Sequence, residues 1–203
     1  KEKVEYYSVL RSLGAADRSD LALLLLNAPD GVTEQDVKLA GYIDRSGKGL
    51  ILVVNKWDLM EQKEKVRQKL LEEIKYKMAF APYAPVIFLS ALTGRRVKKL
   101  FPLINRIWEQ QRLRLPTSWF NQFLADTLLA TPPPSVKGKR LKIYYATQSG
   151  VSPPTFVFFV NDPLLMHFSY QRYLENRLRE SFEFYGTPIR LVINKSTKKG
   201  ELG

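Results

Sequence analysis

The part of the sequence that decides the fold is Leu50-Ile51-Leu52-Val53-Val54-Asn55-Lys56-Trp57-Asp58. Its first five residues are all apolar, and the run stops abruptly at Asn55. An apolar run of this length predicts a strand that is buried on both faces, as in parallel sheets covered by helices. Because ligands of such sheets bind at the carboxyl ends of the strands, the polar residues that follow are candidate ligand contacts.

Asn55, Lys56 and Asp58 form the pattern Asn-Lys-x-Asp, which is typical of guanine recognition in GTPases. The Asp58 carboxylate can accept hydrogen bonds from the ring N–H and the exocyclic amine of guanine, a pair of donors that adenine lacks. We expect Asn55 to brace the base edge and the neighbouring loops, and the Lys56 stem to lie along the base. The same letters also suit an ordinary polar turn after a strand.

A second apolar run, at 86–92, overlaps the motif Ser90-Ala91-Leu92. GTPases carry Ser-Ala-x one strand after Asn-Lys-x-Asp, and a backbone N–H of that motif contacts the guanine carbonyl oxygen. The charged segment Gln62–Met78 has apolar residues at helical spacing and supplies the crossover helix that a parallel strand pair needs. Two motifs in this order favour guanine binding by Ser90, Ala91 and Leu92 together with the first motif.

The surrounding sequence predicts an α/β arrangement of alternating strands and helices. A third buried strand is expected at Leu21–Ala28, and a helix at 34–46 that Thr33 caps. Further helices are expected at 1–14, where Gly14 follows the last turn, and at 95–112. The basic residues of this last helix suit either a solvated helix face or an RNA contact, and they are Arg95, Arg96, Lys98, Lys99 and Arg106.

The pattern changes near residue 115, where we place a boundary between domains 1–115 and 116–203. The second part predicts helix 117–130, strands 141–147 and 155–160, helix 170–184 and strand 188–193, an α+β order. A loop is expected at 148–154. Ser169 is a candidate cap of the last helix, and His167 is expected to pack or to cap rather than to catalyse.

Composition excludes several functions. The 203 residues contain no cysteine and one histidine, so the sequence offers neither a thiolate site nor a histidine metal cluster. We expect no catalytic residue and no metal ligand in this chain. No apolar run is long enough to span a membrane, and the first residues do not form a signal peptide, which suits a cytoplasmic protein. The net charge of +12 indicates a polyanionic partner such as RNA, or else an inert basic surface.

The sequence resembles the C-terminal part of EngA/Der proteins, which are tandem GTPases with a KH-like third domain. The matching segments are Val4-Glu5-Tyr6-Tyr7-Ser8, Asp30–Asp36, Asn55–Leu59, Ser90–Gly94 and Ala125–Pro134. The resemblance implies a partial P-loop GTPase domain, a mostly parallel sheet with helices on both faces, followed by a small α+β KH-like domain. It also implies GTP and GDP as ligands, and assembly of the large ribosomal subunit with rRNA as partner.

The family's phosphate loop, Gly-x-x-x-x-Gly-Lys-[Ser/Thr], and its Asp-x-x-Gly switch are both expected to be absent from the sequence. That loop holds the phosphates and positions Mg²⁺. We therefore expect a fragment that does not hydrolyse GTP alone, within a longer GTPase that binds Mg²⁺ and whose preceding GTPase domain contacts this chain.

Typical KH domains clamp the nucleic-acid backbone with a Gly-x-x-Gly loop. The only such letters here, Gly200–Gly203, follow the last predicted strand and are treated as coincidence. Any RNA contact would then come from basic residues that bind phosphates, with strong salt dependence and little sequence preference. The candidates are Lys137, Lys139, Arg140, Lys142, Lys195, Lys198 and Lys199.

Two other interpretations stay open at this point. The chain could be a non-catalytic fragment that binds RNA or protein and whose nucleotide motifs are vestigial. It could also be an unrelated GTPase joined to a different α+β module.

Overall fold

The computed structural model describes residues 13–136 and 138–196, which form two compact units. The first unit contains the described residues up to Gln111, together with Tyr185–Pro188. The second contains those from Arg112 to Phe184 and from Ile189 onward. Among the described residues, no helix is both long enough and apolar enough to cross a membrane.

The first unit contains a three-stranded parallel sheet. Its strands are β1 (Leu21–Asn27), β2 (Gly49–Asn55) and β3 (Val86–Phe88), in the order β1-β2-β3. Parallel pairing places Asn27 opposite Asn55 in the first ladder and Phe88 opposite Val54 in the second. The polar residues that follow the strands therefore gather at one edge of the sheet.

Three helices flank this sheet: α1 (Glu34–Arg45), α2 (Lys63–Lys77) and α3 (Leu100–Gln111). The apolar run of β2 is buried on both faces, as the sequence predicts. Leu50, Leu52 and Val54 belong to one hydrophobic cluster, which includes Ile74 of α2. Ile51 and Val53 belong to another, which includes Ile107 of α3. The side chains thus alternate between two cores, which confirms the predicted α/β layering.

Three boundaries in this unit differ from those that the sequence pattern indicates. Strand β3 ends at Phe88, whereas the apolar run extends to residue 92, because its partner β2 ends at Asn55 and the next residue, Lys56, has a left-handed backbone with φ of 61°. The helix expected at 95–112 begins only at Leu100, after a 3₁₀ turn at Val97–Lys99. Residues 13–17 are helical, so the first helix continues past Gly14, while the rest of its predicted range lies outside the described residues.

A short segment from late in the chain, Tyr185–Pro188, completes the first unit. The Leu50 N–H donates to the Gly186 carbonyl oxygen at 2.9 Å, and the Gly186 N–H donates to the Tyr83 carbonyl oxygen at 3.1 Å. Gly186 has φ of +70°, and a Cβ at this position would lie 2.4 Å from Ile107 side-chain atoms. Only glycine fits here without a shift of the core, and the sequence pattern did not indicate this role.

The second unit is α+β. It contains a helix, α4 (Thr117–Ala130), a short antiparallel ribbon of β4 (Ser135–Val136) and β5 (Lys139–Arg140), and a three-stranded sheet with one further helix. The sheet strands are β6 (Ile143–Val151), β7 (Pro154–Val160) and β8 (Arg190–Lys195), and the helix α5 (Phe168–Phe182) lies between the last two in sequence. Strand β6 pairs antiparallel with β7, which pairs parallel with β8.

The core of the second unit is aromatic. Phe120 of α4 lies 4.8 Å from Phe156 of β7, between ring centroids, and both are fully buried. Phe184 packs on Phe156 at 5.6 Å. The Tyr173 hydroxyl of α5 donates to the Thr127 carbonyl oxygen of α4 at 3.2 Å. These contacts hold both helices and the sheet around one core.

Several predicted details in this unit need correction. Residues 148–151 extend β6 instead of forming a loop, because they pair with Pro154–Phe156 in a tight hairpin. Helix α5 begins at Phe168, and His167 rather than Ser169 caps it, since His167 Nδ1 accepts from the Ser169 N–H at 3.3 Å. The last strand begins at Arg190 rather than Pro188, because residues up to Pro188 belong to the first unit.

The predicted cap of α1 is present and testable. The Asp36 N–H donates to Thr33 Oγ1 at 3.2 Å, and Asp36 Oδ2 accepts from the Thr33 N–H at 2.9 Å. Because removal of such a cap leaves helix N–H groups without acceptors, Thr33→Ala should lower the free energy of unfolding of the first unit by about 1 kcal/mol. Urea unfolding would measure this. Thr33→Ser keeps the hydroxyl and should lose much less, and equal losses in both variants would contradict the capping role.

Candidate guanine-binding site

The two sequence motifs meet where β2 and β3 end. The Asn55 Oδ1 accepts a hydrogen bond from the Ala91 N–H at 3.0 Å. Around it, the Leu89 N–H donates to the Val54 carbonyl oxygen at 3.0 Å, and the Trp57 N–H donates to the Leu89 carbonyl oxygen at 3.1 Å. Asn55 thus joins the loop that carries the second motif to the strand that carries the first.

Trp57 fixes the direction in which the chain leaves β2. The backbone of Lys56 is in the left-handed conformation, and the next three residues, Trp57–Leu59, form a 3₁₀ turn. The Trp57 side chain turns inward, is only 4% exposed, and packs edge-on against Phe88 at 4.6 Å between ring centroids. Since Trp57 is anchored in the core, its neighbours Lys56 and Asp58 are held on the outer side of the turn.

Asp58 contacts the second motif through Ser90. A hydrogen bond from the Ser90 side chain is the main cause that holds the pKa of Asp58 below its ordinary value. The charge of Lys63 adds a small contribution in the same direction to this pKa. Ser90 is almost fully buried, and its Oγ also accepts from the Thr93 N–H at 3.2 Å. Asp58 is therefore ionised at neutral pH and fixed against the second loop.

One acceptor of this carboxylate is unused. Asp58 Oδ1 is shielded from solvent and has no hydrogen-bond partner within the described residues, although the residue as a whole is partly exposed. A buried carboxylate oxygen without a donor is unfavourable, so this oxygen is a cost to the fold of the turn. The feature of the site that fits guanine is the ionised Asp58 carboxylate as a whole, because the Watson–Crick edge of guanine presents two N–H donors.

The remaining predicted site residues form the rim. Lys56 and Ala91 are exposed, and the side chain of Leu92 is 89% exposed. The structure therefore brings all six predicted residues to one edge of the sheet, through the Asn55–Ala91 and Asp58–Ser90 contacts. Sequence reasoning missed Lys63, which lies at the start of α2 and acts electrostatically on Asp58.

The letters Asp-x-x-Gly do occur once, at Asp44–Gly47, but they end helix α1 instead of forming a switch. Asp44 Oδ1 accepts from the Tyr83 hydroxyl at 2.6 Å, and Gly47 has φ of +74° in the turn after the helix. Both residues thus have structural roles. The part of the chain that the structure describes contains no group of three or more metal-ligating side chains.

The predicted RNA contacts of the second unit are partly described. Lys139, Arg140, Lys142 and Lys195 are exposed. The Asn161 side chain holds the backbone at Arg140 and Lys142. Its Oδ1 accepts from the Lys142 N–H at 2.9 Å, and its Nδ2 donates to the Arg140 carbonyl oxygen at 3.0 Å. Three further candidates, Lys137, Lys198 and Lys199, lie outside the described residues.

Family models match both parts of the chain. The model for the GTP-binding domain of elongation factor Tu matches residues 7–110, and that for the KH-domain-like C-terminal region of EngA bacterial GTPases matches residues 114–194. The fold and the matches thus define a GTP-binding-type domain followed by a KH-like domain. The chain belongs to the EngA/Der family of GTP-binding proteins.

Two relatives named GTPase Der agree with this family. The chain is 52% identical over 201 residues to GTPase Der of Desulfitobacterium hafniense and 49% identical over 197 residues to GTPase Der of Alkaliphilus metalliredigens. These matches cover 99% and 97% of this chain, but only 46% and 45% of the relatives, so the chain spans about half their length. Among solved structures, Aquifex aeolicus Era is 20% identical over 90% of this chain and 67% of that chain, with a TM-score of 0.42.

The Ser90 hydroxyl can be tested as the cause of the Asp58 pKa. Because its hydrogen bond stabilises the carboxylate, Ser90→Ala should raise the pKa of Asp58 toward that of an ordinary aspartate. A lowered folded pKa stabilises the fold above the unfolded pKa, and this stability is lost as pH falls through the folded pKa. As the pH is lowered, Ser90→Ala should therefore lose this stability at a higher pH than the unchanged chain does. Carboxyl ¹³C shifts during a pH titration measure this, with Thr93→Ala as the control that keeps the hydroxyl. An unchanged midpoint in Ser90→Ala would contradict the assignment.

Proposed function

We propose that the first unit carries the guanine-recognition half of a GTP-binding site, and that the chain acts within a ribosome-assembly GTPase. The observation that carries the proposal is that the Asn55–Ala91 hydrogen bond and the Asp58–Ser90 contact bring both motifs to one edge of the sheet, with Asp58 ionised. An ionised acceptor at the end of a rigid strand matches the N–H edge of guanine and repels the acceptor-bearing edge of xanthine. Adenine lacks this pair of donors.

In the proposed function, several groups share the recognition of the base. Asp58 accepts from the guanine ring N–H and exocyclic amine. The Ala91 N–H already donates to Asn55, whereas the Leu92 N–H makes no hydrogen bond among the residues that the structure describes, so Leu92 supplies the donor for the guanine carbonyl oxygen. The exposed Lys56 stem covers one face of the base, and Asn55 keeps the two loops at a fixed spacing.

The residues that recognise the base do not bind the phosphates of the nucleotide. The sequence contains no Gly-x-x-x-x-Gly-Lys-[Ser/Thr] loop, whose backbone N–H groups and lysine bind phosphates. In the proposed function, the triphosphate and Mg²⁺ are bound by other residues of a longer protein, which hydrolyses GTP to GDP, and the chain by itself recognises the base without catalysis. Binding of a nucleotide to this chain should consequently be weak.

Guanine recognition can be tested by NMR titration of the chain with GDP at millimolar concentrations. GDP should shift the amide signals of Ala91 and Leu92, and ADP should shift them at least tenfold less at the same concentration. In Asp58→Asn the side-chain amide offers a donor where the carboxylate was, so xanthosine diphosphate should replace GDP as the preferred ligand.

Lys38→Gln, an exposed substitution away from these loops, is the control and should leave both preferences unchanged. Equal shifts by GDP and ADP would contradict guanine recognition and favour the alternative in which the chain is a non-catalytic binding fragment with vestigial motifs.

The second unit is proposed to bind the large ribosomal subunit through rRNA phosphates. The support for this proposal is that Lys139, Arg140 and Lys142 are all exposed. The Asn161 side chain holds the Arg140 carbonyl and the Lys142 N–H in place. Lys195 adds a cation at the end of β8. Contacts of this kind bind through charge and release counterions, so they are salt-dependent and carry little sequence information. The function would place the protein in the cytoplasm.

Sedimentation of the chain with large-subunit particles tests this proposal. Lys139→Glu with Lys142→Glu should weaken binding at least tenfold at 100 mM salt and reduce its salt dependence, because two phosphate contacts are lost. Arg114→Glu with Arg172→Glu changes the net charge equally at exposed positions elsewhere in the same unit and should have a much smaller effect. Equal losses in the two pairs would show that only net charge matters and would contradict a binding surface at β5–β6.

A further inference from the structure

A basic groove lies in the first unit, along the β3 edge of the sheet. It encloses about 540 Å³ between the first two turns of α2 and the segment 95–99 that leads into α3. Its lining contains one acidic side chain, that of Glu64, and five cationic ones. The cationic residues are Lys63, Arg67, Arg95, Arg96 and Lys99. The groove is therefore strongly positive, and no residue of it belongs to the proposed RNA contacts of the second unit.

Most of this charge is not neutralised within the first unit. Arg67 pairs with Glu64 at 3.4 Å and lies over the Phe88 ring at 5.6 Å, and Lys63 acts on Asp58. The side chains of Arg95, Arg96 and Lys99 are exposed and make no hydrogen bond or ion pair within the described residues. Because like charges repel, three such cations on one short segment favour an anion that binds all of them.

The backbone holds this segment in place. The Ser90 N–H donates to the Arg95 carbonyl oxygen at 3.1 Å, and the Lys99 N–H donates to the Arg96 carbonyl oxygen at 3.0 Å. Arg96 has φ of +64°, a conformation that residues other than glycine rarely adopt. The cations are thus carried by a fixed and locally strained turn rather than by a free loop, and strain of this type is found at binding sites.

The floor of the groove offers no apolar anchor. Trp57 and Phe88 are each only 4% exposed, and Val86 and Ile87 are partly buried. Peptide ligands usually need an apolar or aromatic side chain in a pocket, and single-stranded bases need an exposed ring on which to stack. A groove that offers only cations, three of the five being arginines, suits the sugar–phosphate backbone, because the planar guanidinium can bind phosphate through two N–H groups.

We propose that this groove binds the phosphate backbone of RNA without reading its bases, as a second RNA surface separate from the second unit. RNA as the source of the phosphates rests on the proposed ribosomal function. With this groove, each of the two units carries one basic surface.

The test measures fluorescence anisotropy of a fluorescein-labelled 20-base-pair RNA duplex titrated with the full chain at 50–200 mM KCl. The variant combines Arg95→Gln, Arg96→Gln and Lys99→Gln. We expect at least a tenfold loss of affinity at 100 mM KCl. The slope of log affinity against log salt should fall by about 2 to 3, since three phosphate contacts are removed.

The matched control combines Lys38→Gln, Lys69→Gln and Lys75→Gln, which remove the same charge from exposed positions outside the groove. It should lose less than threefold, and urea unfolding should give the same midpoint for both variants. Equal losses, or no loss in the groove variant, would overturn the proposal. A poly-glutamate peptide serves as the competing probe. If it binds the groove variant less tightly than the unchanged chain while RNA binding is the same for both, the proposal is overturned in favour of an acidic protein partner.

Failure of this proposal is distinguishable from failure of the proposed function. Guanine recognition is measured by the GDP-induced shifts of Ala91 and Leu92, and the groove by the affinity for the RNA duplex, so either measurement can fail while the other succeeds. Lys139→Glu with Lys142→Glu should weaken binding of large-subunit particles while the contribution of the groove to duplex binding persists.

Discussion

Strand β2 is buried on both faces and paired along both edges, and this constraint determines the arrangement of the first unit. Its side chains alternate between two hydrophobic cores, so a shift of one residue would exchange the contents of both. The parallel ladders to β1 and β3 prevent smaller movements. The strand therefore ends at a fixed position, at Asn55, and this fixes where the residues of the following turn lie.

The site depends on two further contacts built on this point. Trp57 anchors the turn in the core beside Phe88, and the Asn55 side chain holds the Ala91 loop at a set distance. Asp58 and Ser90 then meet across the gap. Each polar residue of the site is thus positioned by a buried neighbour, which is how a rigid sheet can present a recognition surface made of short loops.

Charge is organised differently in the two units, although both are basic. In the second unit, exposed lysines and an arginine lie along an edge ribbon and strand, where the Asn161 side chain secures the backbone. In the first unit, the cations lie on a strained turn that shares its backbone hydrogen bonds with the guanine loop, through Ser90 and Arg95. The loop of the candidate site and the turn that carries the cations are therefore joined by a backbone hydrogen bond.

The sequence by itself determined the main helices and strands and the α/β layering, and it singled out the six residues of the candidate site. These follow from local signals: an apolar run that stops abruptly, a helix cap at Thr33, and two motifs at strand ends. Only the tertiary structure decided where β3 ends, that Asp58 keeps an unpaired oxygen, and that Gly186 completes the first unit. The physical reason is that each of these depends on residues distant in sequence, through ladder pairing, close packing or a hydrogen bond between loops, and no local pattern contains them.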